Sequence, residues 1–149
     1  MKKTVIIALG GNALSPKKEA GTIDQQFRHT RESLKVVMHF VKSNYNICIT
    51  HGNGPQVGDL LLLEEAVKDL SRNKTDLSTW VAATQGMIGH ELSLELDSLL
   101  DSKSRPERTA VVLTRVRVDE NDFAFTKPTK PIGPILFDNS NIMETWNVE

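Results

Sequence analysis

The chain has 149 residues, 39% of them hydrophobic and 25% charged, and a formal net charge of -1. That length suffices for one domain with its own core, and the balance fits a folded globular protein rather than a disordered one. Near-neutral charge leaves no broad basic field for nucleic acid or an acidic membrane, although a local anion site built from backbone dipoles needs no net charge. The single cysteine, Cys48, excludes an internal disulfide and a multi-cysteine zinc site, and it is expected to be a small buried core residue. No apolar run reaches the length of a bilayer span, and Val5 to Leu9 is too short for a signal-peptide core, so a cytoplasmic protein is expected.

In chain order, Thr4 to Leu9 is continuously apolar after its first residue and predicts a buried strand. It runs straight into Gly10, Gly11 and Asn12. The polar stretch Ser15 to Asp24, with Pro16 and Gly21, predicts a loop. Phe27, Thr30, Leu34, Val37 and Val41 then recur at three- and four-residue spacing, which predicts an amphipathic helix ending near Ser43 or Asn44. Ile47 to Thr50 predicts a second strand, and it too ends in a glycine-rich turn, Gly52, Asn53 and Gly54. Pro55 suits the first turn of a following helix that continues through Leu70. After a polar break at Ser71 to Thr75, Ile88, Leu92, Leu96 and Leu99 form a second helical stripe that Trp80 and Thr84 extend backwards. Gly86 and Gly89 lie within it, for close packing or close ligand approach, with packing favoured. The β-branched run Thr109 to Val118 predicts a third strand, Asp119 to Asp122 a turn, and Phe123 to Phe125 a short return strand. Lys127 to Pro134 is dense in proline and predicts a rigid loop carrying Lys130. Strands alternating with helices predict an α/β sheet with right-handed crossovers.

Two strand–glycine-turn–helix units in so short a chain predict two backbone cradles at the same edge of a parallel sheet. Glycine lets N–H groups approach a ligand closely, and a helix N-terminus adds partial positive charge, so such turns suit phosphate. Neither turn matches the P-loop pattern GxxxxGKS/T or a dinucleotide fingerprint. Lys130 is the candidate phosphate clamp, its ammonium held by a proline-stiffened loop; Lys127 is assigned to solvent. His51 is a ligand-facing donor or a polar residue at a strand end, the latter favoured. His29, His39, His51 and His90 show no metal-ligand spacing, and the acidic turn Asp119, Glu120 and Asp122 is read as a solvated hairpin turn rather than a cation site. No nucleophile–base pair of the hydrolase type is present.

The stretches ALGGNAL, THGNGPQVG, AATQGMIGHEL and VRVDENDFAFTKPTKPIGP occur in this order from Ala8 to Pro134. Together they resemble the carbamate kinases of the amino-acid kinase superfamily. The resemblance implies a three-layer α/β/α sandwich with a mainly parallel sheet, usually assembled as a homodimer. It implies reversible, magnesium-dependent phosphoryl transfer between ATP and carbamate, giving ADP and carbamoyl phosphate. By that resemblance Gly10, Gly11 and Asn12 bind the transferring phosphoryl group, Gly52, Asn53 and Gly54 line the carbamate side, and Lys130 stabilises phosphate charge. Many related amino-acid kinases place a lysine two residues before the double glycine, where this chain has Ala8; Lys130 supplies that charge in the carbamate branch. Members of the family are roughly twice as long, and their second half holds most of the nucleotide site. Residues 1–149 therefore correspond to an N-terminal, substrate-side part of the fold, and a complementary C-terminal half is an expected partner. The alternative is a non-catalytic α/β module, derived from such a kinase, that binds anions or a partner chain.

Overall fold

The computed structural model describes residues 1–10, 22–53, 56–67 and 75–129. They form two strands, β1 (Thr4–Leu9) and β2 (Asn46–His51), and three helices, α1 (Ile23–Lys42), α2 (Gln56–Ala66) and α3 (Leu77–Ser102). A single 3-10 turn follows at Phe123–Phe125. β1 and β2 pair in parallel, with Thr4 opposite Asn46 and Leu9 opposite His51. The long α1 crossover between them is what a parallel pair requires.

Local chemistry fixes the helix ends. Thr22 caps α1 in a reciprocal box: its hydroxyl accepts from the Gln25 amide at 3.4 Å, and the Gln25 side chain accepts from the Thr22 amide at 3.1 Å. The C-terminus closes on Asn44 in the left-handed region (φ 59), with the Tyr45 amide donating to the Phe40 carbonyl at 3.1 Å. α3 repeats this closure with Ser104 (φ 53) and a 3.0 Å bond from the Arg105 amide to the Leu100 carbonyl. Beyond it, the Arg105 guanidinium grips Glu107 at 2.5 Å and holds that carboxyl below the usual carboxylate range.

The core is the meeting of the two predicted stripes. Leu34, Val37, Met38 and Val41 of α1 pack with Ile88, Leu92, Leu96 and Leu100 of α3, and Ile7, Ile47 and Ile49 pack against them from the strands. A polar seam runs beside this contact. The Thr30 hydroxyl, fully buried, donates to Glu91 at 2.5 Å, and Arg31 donates twice to the buried Glu95 carboxylate, at 2.8 and 2.7 Å. α2 is tied to the start of α3 through Glu64, whose two oxygens accept from the Thr75 amide at 2.5 Å and the Trp80 indole at 3.0 Å.

Five expectations are corrected. β1 is not buried on both faces: Val5, Ile7 and Leu9 turn inward, whereas Thr4, Ile6 and Ala8 are exposed. For the same reason Cys48, on the outer face of β2, is exposed rather than a core residue. Thr109 to Val118 is not a strand, because no described neighbour pairs with its backbone; it runs beside α3, with the Thr109 amide donating to Asp97 at 3.1 Å. Phe123 to Phe125 forms a 3-10 turn in place of a return strand, because the Asp122 carboxylate captures the Ala124 amide at 2.8 Å. α2 ends at Ala66 rather than Leu70, and residues 68–70 lie outside the described residues.

Candidate functional site

Register decides what the two glycine turns can do together. Leu9 and His51 are partners at the C-terminal ends of β1 and β2, and Gly10 and Gly52 follow them directly. Both turns thus leave the sheet side by side, at the edge where open α/β sheets bind ligands. Among the described residues, a methyl group built on either Gly10 or Gly52 would meet no atom within 4 Å. Packing by the described residues therefore does not demand glycine at either position. Gly89 contrasts with them: a methyl group there would come within 2.5 Å of Val111 Cγ1, so this glycine serves close packing, as favoured from the sequence.

The second turn carries the better-described surroundings. His51 Nδ1 lies 2.9 Å from the Gly52 carbonyl, an acceptor only, so the contact is a hydrogen bond when Nδ1 carries a proton. Asn53 is half-buried, and α2 begins three residues later at Gln56, its N-terminal dipole end next to the turn. Gln56 is buried and its amide donates to Gln26 Oε1 of α1 at 3.2 Å, fixing the start of α2 against the neighbouring helix. Gln56 and Gln26 escaped the sequence reading. The available signal was a long polar side chain in the first turn of a helix that packs at its N-terminal end.

Of the residues assigned to the site from sequence, Gly10, Gly52 and Asn53 are thus brought to one sheet edge. Gly11, Asn12, Gly54 and Lys130 lie outside the described residues. Lys127 is exposed, as expected. The acidic turn is engaged with its own backbone: Asp119 accepts from the Asn121 amide at 2.9 Å and Asp122 from the Ala124 amide. Among the described residues no group of three or more His, Cys, Asp or Glu side chains could hold a metal ion. No described helix is long and apolar enough to cross a membrane.

No family model matches the chain. Individual relatives do. Carbamate kinase 1 of Enterococcus faecium is 40% identical over 136 residues, covering 91% of this chain and 43% of the relative. Carbamate kinase of Pyrococcus furiosus is 36% identical over 137 residues, covering 90% and 43%. The structure of carbamate kinase from Giardia lamblia bound to AMP-PNP superposes with a TM-score of 0.83 at 36% identity, over 92% of this chain and 43% of that one. Over nine-tenths of its length the chain is similar to the carbamate kinases. It corresponds to their N-terminal part and spans less than half the length of the curated relatives it matches. The α/β architecture with a parallel strand pair is the carbamate kinase fold over the matched portion.

Proposed function

We propose that this chain forms the substrate side of a carbamate kinase, in which a phosphoryl group passes reversibly between ATP and carbamate. The observation that carries the reading is the side-by-side exit of the Gly10 and Gly52 turns from paired parallel strands, in a chain whose relatives are carbamate kinases. Phosphoryl transfer requires little covalent chemistry from the protein; it requires positioned charge and aligned oxygens. In this reading Gly10, Gly11 and Asn12 present backbone N–H groups to the transferring phosphoryl group. Gly52, Asn53 and Gly54, backed by the N-terminus of α2, hold the carbamate. Lys130 places a compact ammonium against the charge that develops in transfer. Magnesium would arrive on the nucleotide's phosphates, where it neutralises charge, rather than in a cage of the described side chains. ATP or ADP is the nucleotide, and most of its site belongs to the part of the fold that the relatives carry beyond the matched region.

Formation of ATP from ADP and carbamoyl phosphate, coupled to a luminescent readout, tests the reading. The chain supplemented with the remaining portion of a carbamate kinase is expected to form ATP. Absence of ATP formation from an assembled, folded complex would overturn it in favour of a non-catalytic anion-binding module.

A further inference from the structure

His51 ends β2 opposite Leu9, and the glycine turn assigned to carbamate begins at the next residue. The imidazole is half-buried, and its Nδ1 lies 2.9 Å from the Gly52 carbonyl oxygen. That oxygen belongs to the peptide group joining Gly52 to Asn53. A peptide group is planar and trans, so its carbonyl and its N–H point in opposite directions. Whatever fixes the Gly52 carbonyl therefore also fixes the direction of the Asn53 N–H. Glycine takes positive and negative φ almost equally well, so this plane turns over easily unless something holds it. A methyl group at Gly52 would touch no described atom, so packing by the described residues on that glycine does not supply the hold.

We propose that His51 is a positioning residue for carbamate: an Nδ1–H bond to the Gly52 carbonyl keeps the Asn53 N–H turned toward the ligand. For the identity of that ligand this inference rests on the function proposed above. Carbamate is a small anion and offers few points of contact. A turned-over peptide would not merely lose one of them. It would put the Gly52 carbonyl, an acceptor, where the anion needs a donor, and like partial charges would meet. Hydrogen bonds also weaken steeply once their angle is poor, so even a partial rotation of the plane costs binding. A histidine that only ended a strand in water would need neither this bond nor a proton on one particular ring nitrogen. Holding the carbonyl requires the proton on Nδ1, because the carbonyl can only accept.

Two measurements on the full chain need no catalysis. Nitrogen-15 NMR of the histidine rings is expected to find the proton of neutral His51 on Nδ1; a proton on Nε2 would overturn the proposal. The Asn53 amide is expected to give one sharp signal in wild type and in His51→Asn, whose side-chain nitrogen sits where Nδ1 does. In His51→Gln, whose nitrogen sits where Nε2 does, that signal should double or broaden. Equal Asn53 signals in the two variants would overturn the proposal. The third measurement uses the chain complemented with the remaining portion of a carbamate kinase, with folding matched by circular dichroism. There His51→Gln should raise the KM for carbamoyl phosphate by about tenfold or more, the loss of one hydrogen bond to a charged ligand, and leave the KM for ADP unchanged. His51→Asn should stay within about threefold of wild type. Equal effects of the two variants, or equal rises for both substrates, would make His51 a strand-end residue only. A wild-type complex that forms no ATP while the ring and amide signals behave as expected would count against the proposed activity and not against the hold of His51 on the turn.

Discussion

Arg31 of α1 and Glu95 of α3, 64 residues apart in sequence, meet through two parallel hydrogen bonds of 2.8 and 2.7 Å. The guanidinium is half-exposed while the carboxylate is buried, and the pair pushes the arginine further toward its charged form through its hydrogen bond to Glu95. Arg31→Ala would leave a buried carboxylate without its cation and is expected to lower the melting temperature. Arg31→Lys should recover only part of the loss, because an ammonium cannot supply the planar two-pronged donor. Thermal melts of the two variants, with Glu95→Gln as the third corner, check this. Equal melting temperatures for Arg31→Ala and wild type would show that the pair adds nothing to the α1–α3 contact.

Leu34 is fully buried at the centre of that contact. Leu34→Ala is expected to destabilise the fold by about 2–5 kcal/mol, the range for removing three buried carbons and leaving a cavity. Urea denaturation reads the shift in midpoint; a loss under about 1 kcal/mol would mean that α1 and α3 can close the gap.

Ser104 occupies a left-handed backbone position that disfavours side chains. Ser104→Gly relieves about 1–2 kcal/mol of local strain, offset by about 0.4–1 kcal/mol of added freedom in the unfolded chain. A small net gain in stability is expected, measured in the same denaturation assay, whereas Ser104→Val should be destabilising.

Asp76 caps α3, accepting from the Ser78 hydroxyl and, at 3.0 and 2.9 Å, from the Thr79 amide and hydroxyl. These bonds, that of Ser78 first, lower its pKa to about 2. A carboxyl depressed in the folded state stabilises it above the unfolded value of 3.8, and this contribution is lost as pH falls from there toward about 2. Asp76→Asn keeps a capping oxygen but cannot titrate, so its stability should fall less steeply across that window. A pH series of thermal melts decides: parallel curves for wild type and variant would remove Asp76 from the acid response.

Gly10→Ala and Gly52→Ala are expected to leave stability within about 0.5 kcal/mol of wild type, since no described residue contacts the added methyl groups. In the complemented enzyme both should impair use of carbamoyl phosphate, because the methyl group enters the space assigned to the ligand. Lys130→Ala should lower turnover by about 10²–10³, the usual loss for one preorganised electrostatic donor, with Lys127→Ala near wild type. If Lys130→Ala turns over normally in folded protein, the loop is not the phosphate clamp.

The helices were legible because their packing is written locally. Thr30, Leu34, Val37 and Val41 fall on one face at helical spacing, and all four are buried. Asn44 and the polar residues around it marked the end of α1 to within two residues. Thr109 to Val118 was misread because β-branched residues signal fitness for a pleated, half-buried surface and not a pairing partner. In the structure the Gln85 side-chain amide does part of that work, accepting from the Thr114 amide at 3.0 Å and donating to its carbonyl at 3.3 Å. Cys48 was misread because an apolar run does not reveal whether its second face is covered. At the site, the sequence displayed two glycine turns but not their adjacency, which depends on how strands 42 residues apart align. The Gln56–Gln26 bond was invisible for the same reason.

The pairing of Leu9 with His51 also makes the distance between the two turns a matter of chain counting. Inserting one residue into β2 would carry Gly52 about 3.3 Å along the strand direction from Gly10, the rise of a single residue. The same insertion would exchange the two faces of β2, sending Ile47 or Ile49 toward the uncovered side and drawing polar neighbours under α1. A slip that misplaces the glycines therefore also exposes core side chains. The spacing of the two turns is guarded by the packing of α1, and any tolerated change in strand length must come in pairs or fall outside Thr4–Leu9 and Asn46–His51.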